Sequence, residues 1–514
     1  MKVLTAEQMR FAETETAATA GVSSLTLMEN AGSAAAEIIK AEHAVNGKRC
    51  VAVCGKGGNG GDAFVVLRKL FEAGADVAAV LVSGKPTNPD AAEMLRRLDE
   101  LGIRVLTWQK DPPAVSSVIA AADLLIDGIF GIGFHGAPAP DETAVIGCVN
   151  SGSAPVYALD LPSGIEADSG LAAGACVRAD VTVTFSLPKF AHAHLSSALS
   201  CGKVHVVDVG IPQKILDRIP SDVEISDDEF VRSLLPRRAP DAHKGDCGRM
   251  LAICGSYTMP GAALMCASAA LRSGVGLVSM AIPESVYPMV GGRLFEPTYL
   301  PLPCAGNVVN GAEAARELLP AIKKADSIVF GCGVGNDDAW LPVLAAVLSE
   351  AECPVILDAD GINLLCRNMY VTENTRAKLI LTPHMGEMAR LMGLPIAELR
   401  RDRIRYAAEA ASRFGATVVL KGAHTVIASP DGHIVCNPNG NPGMAVGGSG
   451  DVLAGVIGSL AAQGVTPAEA AACAVYLHGA AGDRCVTRLT EYGMTPSDLI
   501  AALPEVFREI TEKD

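Results

Sequence analysis

At 514 residues the chain is too long for one ordinary hydrophobic core, and two α/β domains are the natural expectation. Half of it is apolar (49%), with 52 glycines and few aromatics, which suits helices packed closely on buried parallel strands. A formal charge of −15 without a compensating basic tract argues against a large nucleic-acid surface.

The start offers no apolar core for a secretory signal, because Glu7, Arg10 and Glu13 interrupt it. Thr5-Ala6-Glu7-Gln8 has the pattern of a capping box and predicts a first helix from about Thr5. Strand-like runs follow at 50–54, 77–82, 124–126, 156–159, 181–185 and 204–207. Helical patterns fill most of the gaps, which predicts a parallel, doubly wound sheet. After Gly210-Ile211-Pro212 the chain turns acidic and polar (Asp222, Glu224, Asp227, Asp228, Glu229), placing a boundary between about 212 and 235. Two domains are therefore expected, at about 1–215 and 225–510.

The second series of runs is 250–254, 327–330, 355–357, 379–381, 418–420 and 426–428, again alternating with helices. The uncharged stretch from Met250 to Leu271 is broken by Gly255, Pro260 and Gly261, so it reads as a strand, a loop and a buried helix, not a membrane span. Arg400, Arg401, Arg403 and Arg405, interleaved with Glu398 and Asp402, read as a solvated helix face. The fifteen cysteines form no C-x-x-C pair, and most (Cys54, Cys254, Cys266, Cys332) lie in apolar runs. Buried thiols of this kind fit a cytoplasmic protein, with neither a disulfide frame nor a zinc site indicated.

In the front half, Cys54-Gly55-Lys56-Gly57-Gly58-Asn59-Gly60-Gly61-Asp62 follows a strand and precedes a helix with Phe64, Leu67 and Phe71 on one face. Consecutive glycines let backbone N–H groups converge on an anion, and the helix dipole adds to this. The spacing departs from G-x-G-x-x-G, so dinucleotide oxidoreduction is not indicated. Asp127, before Gly128 and Gly131-Ile132-Gly133, and Asp160, in Asp160-Leu161-Pro162-Ser163-Gly164, each stand at a strand's carboxyl end, where open parallel sheets bind ligands. Either aspartate alone could be a helix cap; two beside a glycine turn favour a site.

In the back half, Asn441-Pro442-Gly443-Met444-Ala445-Val446-Gly447-Gly448-Ser449-Gly450-Asp451 opens a helix with Val452, Leu453, Val456, Ile457 and Leu460 along one stripe. Gly448, Ser449 and Gly450 can aim N–H groups at a phosphoryl group, and Asp451 can take a proton from an attacking hydroxyl.

The three front segments together resemble the N-terminal domain of the NAD(P)H-hydrate epimerases over roughly the first 210 residues. The pattern N-N-G-G-D-G is altered here, with Gly58 and Ala63 replacing its first Asn and last Gly. The resemblance implies a Rossmann-like sheet, with Asn59, Asp127 and Ser163 around a potassium ion and Asp160 as the catalytic residue. Gly58, Asn59, Gly60, Gly61 and Asp62 would bind the hydrated cofactor, and Gly131, Ile132, Gly133, Phe134, His135, Gly136 and Ala137 would wrap its phosphates.

The anion hole resembles the ribokinase-like superfamily. Further landmarks narrow it to the NAD(P)H-hydrate dehydratases: Gly255 to Ala262, Gly331 to Gly335, Thr382-Pro383-His384-Met385-Gly386-Glu387 and Lys421-Gly422-Ala423-His424-Thr425. A ribokinase-like α/β/α domain is thus implied. Lys421, Gly422, Ala423, His424, Thr425 and Gly450 would hold the adenine nucleotide, ADP in preference to ATP. Ala262, Gly335, His384 and Asp451 would contact the hydrated cofactor, and Glu387 would act indirectly through magnesium. His384 and Glu387 could instead form a metal pair, and Asp358 and Asp360 are either structural or part of a metal shell. The substrates implied are hydrated NADH and NADPH, in a cytoplasmic homo-oligomer that engages neither nucleic acid nor membrane. Two other readings stand beside this one: a ribokinase-like small-molecule kinase fused to a dinucleotide-binding module, and a front half that only senses ligand.

Overall fold

The computed structural model describes residues 1–373 and 375–512, which divide into two compact units, 1–221 and 222–514. No helix among the described residues is long and apolar enough to cross a membrane.

The first unit carries seven strands: β1 Arg49–Cys54, β2 Asp76–Leu81, β3 Arg104–Thr107, β4 Leu124–Gly128, β5 Val156–Leu159, β6 Val181–Phe185 and β7 Lys203–Val207. All pairings are parallel, in the order β3-β2-β1-β4-β5-β6-β7, so the winding reverses between β1 and β4. β1 and β4 are in register up to Cys54 opposite Gly128, and Gly55 N–H donates to Gly128 O, so the loops after both strands leave from one level. That is where a doubly wound sheet opens a ligand crevice. β3 escaped the sequence reading because it is a four-residue edge strand, R-V-L-T, with no fully buried position. The capping box at Thr5 forms as expected, Gln8 N–H donating to Thr5 Oγ1 and Thr5 N–H to Gln8 Oε1.

The glycine-rich turn differs from expectation. It is helical from Gly58, the helix Gly58–Glu72 having Gly57 at its N-cap and no side-chain cap. Phe64 and Leu67 are buried, but Phe71 is exposed. Two of the glycines are dictated by packing: a Cβ on Gly60 would stand 2.3 Å from Gly55 O, and one on Gly61 would stand 2.5 Å from Met28 Sδ.

The second unit holds β8 Val223–Ile225, β9 Arg249–Ile253, β10 Leu277–Pro283, β11 Thr298–Leu302, a small antiparallel ribbon of β12 Cys304–Ala305 and β13 Val308–Val309, then β14 Ser327–Phe330, β15 Val355–Leu357, β16 Leu379–Leu381, β17 Thr417–Leu420, β18 Thr425–Ala428 and β19 Ile434–Asn437. Ten of them form one sheet, β11-β10-β9-β14-β15-β16-β17-β18-β19-β8, parallel except where β18 runs against β17 and β19. Here the winding reverses at β9, between β10 and β14. The acidic stretch in which the boundary is expected contains β8 and a helix, Asp228–Leu234, where Asp227 acts as a cap and accepts from Phe230 N–H at 2.7 Å. Helices Pro260–Arg272, Ser449–Ala462 and Pro467–Gly493 pack together in one hydrophobic core of this unit. The first two approach so closely that a Cβ on Gly455 would meet Cys266 O at 2.2 Å.

Gly60→Ala tests the packing argument. A helical alanine gains about 1 kcal/mol over glycine, whereas overpacking costs about 1–3 kcal/mol, so a net loss is expected. Trp108 is the single tryptophan of the first unit. Its fluorescence in a Trp340→Phe background during denaturant unfolding should show an earlier midpoint.

Candidate active sites

In the first unit Asn59 lies buried in the first helical turn and donates from Nδ2 to Phe130 O (2.7 Å) and Leu159 O (3.0 Å). Its Oδ1 is buried with no hydrogen-bond partner. Gly131 sits beside it, a Cβ there standing 3.4 Å from Asn59 Cβ. Asp127, at the end of β4, accepts from Ser163 Oγ (2.6 Å), Ser163 N–H (2.7 Å) and Ile129 N–H (3.2 Å). Burial pushes its carboxyl up to about 6, against the lowering effect of those hydrogen bonds. Asn59, Asp127, Ser163 and Gly131 are thus brought together. The 131–137 loop is fixed by stacking of Phe130 on Phe134 and by Gly136 N–H donating to Glu166 Oε1 at 2.8 Å. Ile132 packs inward among Leu161, Ile165 and Ala191, while Gly133, His135, Gly136 and Ala137 are exposed.

Asp160 follows β5 with φ of +62°, and Leu161 N–H closes a tight turn onto Leu159 O at 2.7 Å. Positive-φ turns of this type are rare and strained, and they gather at functional sites. Ser186, after the neighbouring β6, has the same φ and the same closure, Leu187 N–H to Phe185 O. Sequence reasoning missed the partner of Asp160. Lys189, 1% exposed, donates from Nζ to Asp160 Oδ1 (2.5 Å), Thr184 Oγ1 (3.0 Å) and Phe185 O (3.0 Å). His192 accepts from Lys189 N–H at Nδ1, so its proton sits on Nε2 and points to Asp160 O at 3.0 Å. Burial and the Lys189 charge hold that imidazole near 4, hence neutral. Asp62 is pushed well up by burial, then by the charges of Asp160 and Glu13. Glu13, on the first helix, is raised by desolvation and by Asp160. A lone lysine in Ser186-Leu187-Pro188-Lys189 carries no motif that would have flagged it.

In the second unit Gly448 (φ +101°) caps the helix Ser449–Ala462 without a side-chain bond; Ser449 N–H is taken by Val446 O at 3.3 Å, and the N–H groups of Gly450 and Asp451 are left open to an anion. A Cβ on Gly450 would lie 3.4 Å from Lys421 Nζ and 3.5 Å from Asp358 Oδ2. Lys421 donates to Asp358 Oδ1 at 2.6 Å, and Thr382 Oγ1 donates to the same oxygen at 2.6 Å. Burial opposes ionisation of Asp358, but the Lys421 charge and these hydrogen bonds outweigh it and keep the carboxyl low. Asp451 has no such partner. Burial, then the charge of Asp358, push it up to about 7. Glu387 is likewise pushed up to about 7, chiefly by burial. His384 and Glu387 form a reciprocal cap on the helix Met385–Met392, His384 N–H donating to Glu387 Oε2 at 2.8 Å and Gly386 N–H to His384 Nδ1 at 2.9 Å. The exposed Nε2 of His384 lies 3.4 Å from Glu387 Oε1.

Asp360 accepts from Gly335 N–H at 2.8 Å, and Ala262 packs against Gly333. The 421–425 loop joins β17 to β18 and is held from beneath by Arg403. That residue is buried, not solvated as expected, donating to Leu420 O (3.0 Å) and to Ala423 O. Arg400, Arg401 and Arg405 are exposed. Alternation alone could not tell which arginine of the run turns inward. Gly422 needs its φ of +144° under that guanidinium, and Thr425 Oγ1 donates to Gly422 O at 2.8 Å. His424, with φ of +49°, is desolvated and held near 4.

Residues 24–191 match the family described as YjeF-related protein N-terminus, and residues 250–505 match that described as NAD(P)H-hydrate dehydratase. The bifunctional NAD(P)H-hydrate repair enzyme of Moorella thermoacetica is 39% identical over 497 residues, covering 96% of this chain and 94% of that protein. The Escherichia coli enzyme of the same description is 31% identical, with 99% and 95% covered. This chain belongs to the bifunctional NAD(P)H-hydrate repair enzymes. Among solved structures, the ADP/ATP-dependent NAD(P)H-hydrate dehydratase of Bacillus subtilis, crystallised with ATP and Mg2+, is 35% identical. It has a TM-score of 0.50 and covers 56% of this chain and 99% of that one. A ribokinase-like protein of Enterococcus faecalis is 28% identical with a TM-score of 0.51, covering 57% and 99%. For the repair-enzyme family, the second unit therefore has the ribokinase-like fold, as its motifs led one to expect.

Lys189→Met should show what the buried ion pair does for the first unit. Removing one partner of such a pair costs about 3–5 kcal/mol, because the other charge is left bare. Unfolding followed at Trp108 should show that loss. The double variant Asp160→Asn/Lys189→Met should be the more stable of the two; equal stability would mean the pair is not coupled.

Proposed function

We infer that the chain epimerises hydrated NADH and NADPH and dehydrates the S epimer back to the reduced cofactor, using ADP or ATP. The first reaction is assigned to residues 1–215 and the second to 225–510. The observation that carries the dehydratase reading is Asp451: a carboxyl poised at about 7, at an uncapped helix start, beside the Lys421–Asp358 pair.

Hydroxide is a poor leaving group, so the ring hydroxyl is first phosphorylated. Asp451 takes its proton as the oxygen attacks the terminal phosphorus of the nucleotide, whose leaving phosphate keeps the bridging electrons. The N–H groups of Gly450 and Asp451 receive the charge that gathers on the transferring group. Phosphate then departs, pushed by the ring nitrogen lone pair, and loss of a proton from the adjacent carbon restores the reduced ring. Lys421 steadies the nucleotide, and His384 Nε2 donates to the hydrated cofactor. Magnesium, when bound with the nucleotide, offsets phosphate charge, and the buried Glu387 acts on it indirectly.

In the first unit Asp160 exchanges protons with the hydrated ring while the configuration at the hydrated carbon is lost and regained. Lys189 keeps it placed, and the N–H groups of the helix at Gly58 receive phosphate. The set of Asn59 Oδ1, Asp127 and Ser163 fits a hard monovalent cation such as potassium. It offers oxygen donors only, one of them a buried carbonyl with no other partner. The cation supplies a fixed positive charge beside the substrate's phosphates.

Asp451→Asn should cut dehydration by about 10²- to 10⁴-fold, the usual value of general-base catalysis, and leave epimerisation intact. In the unmodified chain the base works only when deprotonated. The kcat/KM for dehydration should therefore climb through about pH 7 to a plateau, falling roughly tenfold per unit below it. A flat profile between pH 5.5 and 8 (roughly, one pKa unit or more either side of the base) would show that Asp451 is not the base.

Asp160→Asn should leave dehydration intact but split its time course on the epimer mixture. The usable epimer disappears at the normal rate, and the other follows only as fast as it isomerises unaided. Removing potassium should produce a similar, smaller tail. Chromatography resolving both epimers measures this, and a single phase to completion would rule Asp160 out.

A further inference from the structure

Three cysteines that the proposed reaction does not use converge under the second site. Cys254 directly follows β9, Cys332 follows β14 by two residues, and Cys266 lies on the helix Pro260–Arg272. Their Sγ atoms all lie within 4.8 Å of one another, and none of the three residues is exposed at all.

The fold builds this convergence at the reversal point of the sheet. Ile253 is in register with Phe330, and Gly255 N–H donates to Cys332 O at 2.8 Å, which brings the two strand ends together. The helix bearing Cys266 is drawn in by the close approach of Gly455 to Cys266 O. Cys332 also lies within 4.8 Å of the carboxylates of Asp358 and Asp451. Tetrahedral coordination with metal–sulfur bonds of about 2.3 Å separates the sulfurs by roughly 3.8 Å, so the three thiols need only a small contraction, while the Asp451 carboxylate, within 4.8 Å of Cys332 but not of all three thiols, turns inward to complete the shell.

We propose that Cys254, Cys266 and Cys332, with the Asp451 carboxylate as fourth ligand, form a site for one soft metal ion of the Zn2+ or Cd2+ class, whose binding shuts down dehydration. Thiolate donors select soft ions, so magnesium does not compete for the sulfurs. Each ligating thiol loses its proton to solvent, and the nearby Lys421 ammonium offsets part of the charge left on the site. Asp451 is only partly buried, so the ion reaches the thiols from the substrate side. Binding withdraws Asp451 from the substrate hydroxyl. This inhibitory consequence rests on the reading of Asp451 as base; the binding itself does not.

The full-length chain, reduced, stripped of metal and kept anaerobic, is titrated with Cd2+ alone while thiolate-to-cadmium charge-transfer absorbance is followed. A band saturating at one ion per chain is expected, and it should be absent from the triple variant Cys254→Ala/Cys266→Ala/Cys332→Ala. Cys266→Ala by itself should weaken binding by more than the roughly 10- to 100-fold typical of groups that merely support a ligand. It should keep metal-free dehydration while escaping inhibition by Cd2+. In the unmodified chain dehydration should fall in step with the band, and epimerisation should not change. A band that persists in the triple variant overturns the proposal, as does a reduced chain that gives no band at all. Stoichiometric binding in a chain whose dehydration survives Asp451→Asn would uphold the site and reject Asp451 as the base.

Discussion

In each unit a lysine ammonium is buried against an aspartate carboxylate at the carboxyl edge of a parallel sheet: Lys189 with Asp160 at 2.5 Å, Lys421 with Asp358 at 2.6 Å. Taking both charges out of water is costly, and attraction offsets that cost only when further hydrogen bonds satisfy the remaining groups. Here they do. Thr184 and Phe185 O serve Lys189, while Thr382 serves Asp358. Such pairs are poor evidence of stability but a strong constraint on geometry, since neither partner can move without baring the other.

Each pair also sets the chemistry around it. Lys421 keeps the Asp358 carboxyl low, and the acids near each pair are pushed up, chiefly by burial: Asp62 and Glu13 in the first unit, Asp451 and Glu387 in the second. Groups whose surroundings drive their proton affinities apart are what acid–base chemistry near neutrality requires. The two units use the arrangement differently. On the proposed assignment, the paired aspartate of the first unit would face the substrate, whereas in the second the paired one would order the floor and the unpaired Asp451 would act as the base.

Close backbone approach is the second shared device. Gly60 against Gly55, Gly331 against Asp358 O and Gly455 against Cys266 each leave no room for a Cβ. The first two bring helix starts onto strand ends, so open N–H groups and carboxylates meet in one crevice, and the third brings two helices together. In the second unit the same compression also gathers three thiols, a side effect with chemistry of its own.

Much of this was legible in the sequence. Period-two and apolar runs mark central strands because buried parallel strands must be apolar throughout, and glycine clusters mark helix starts because only glycine tolerates those contacts. The motifs put Asn59, Asp127, Asp160, Ser163 and Asp451 forward as candidates, because glycine turns and strand-end carboxylates are local patterns. Edge strands such as Arg104–Thr107 and Val223–Ile225 were not legible, since the first has no fully buried position and the second is three residues long with Glu224 at its centre. Lys189, Arg403 and the Cys254–Cys266–Cys332 cluster were decided only by the tertiary structure. A lysine, an arginine or a scattered cysteine reads the same whether exposed or buried, and what surrounds it is set by which strands become neighbours. The sequence determined the units and their chemistry. The order of the strands decided which charges and thiols meet, because that order is fixed by packing between segments far apart in the chain.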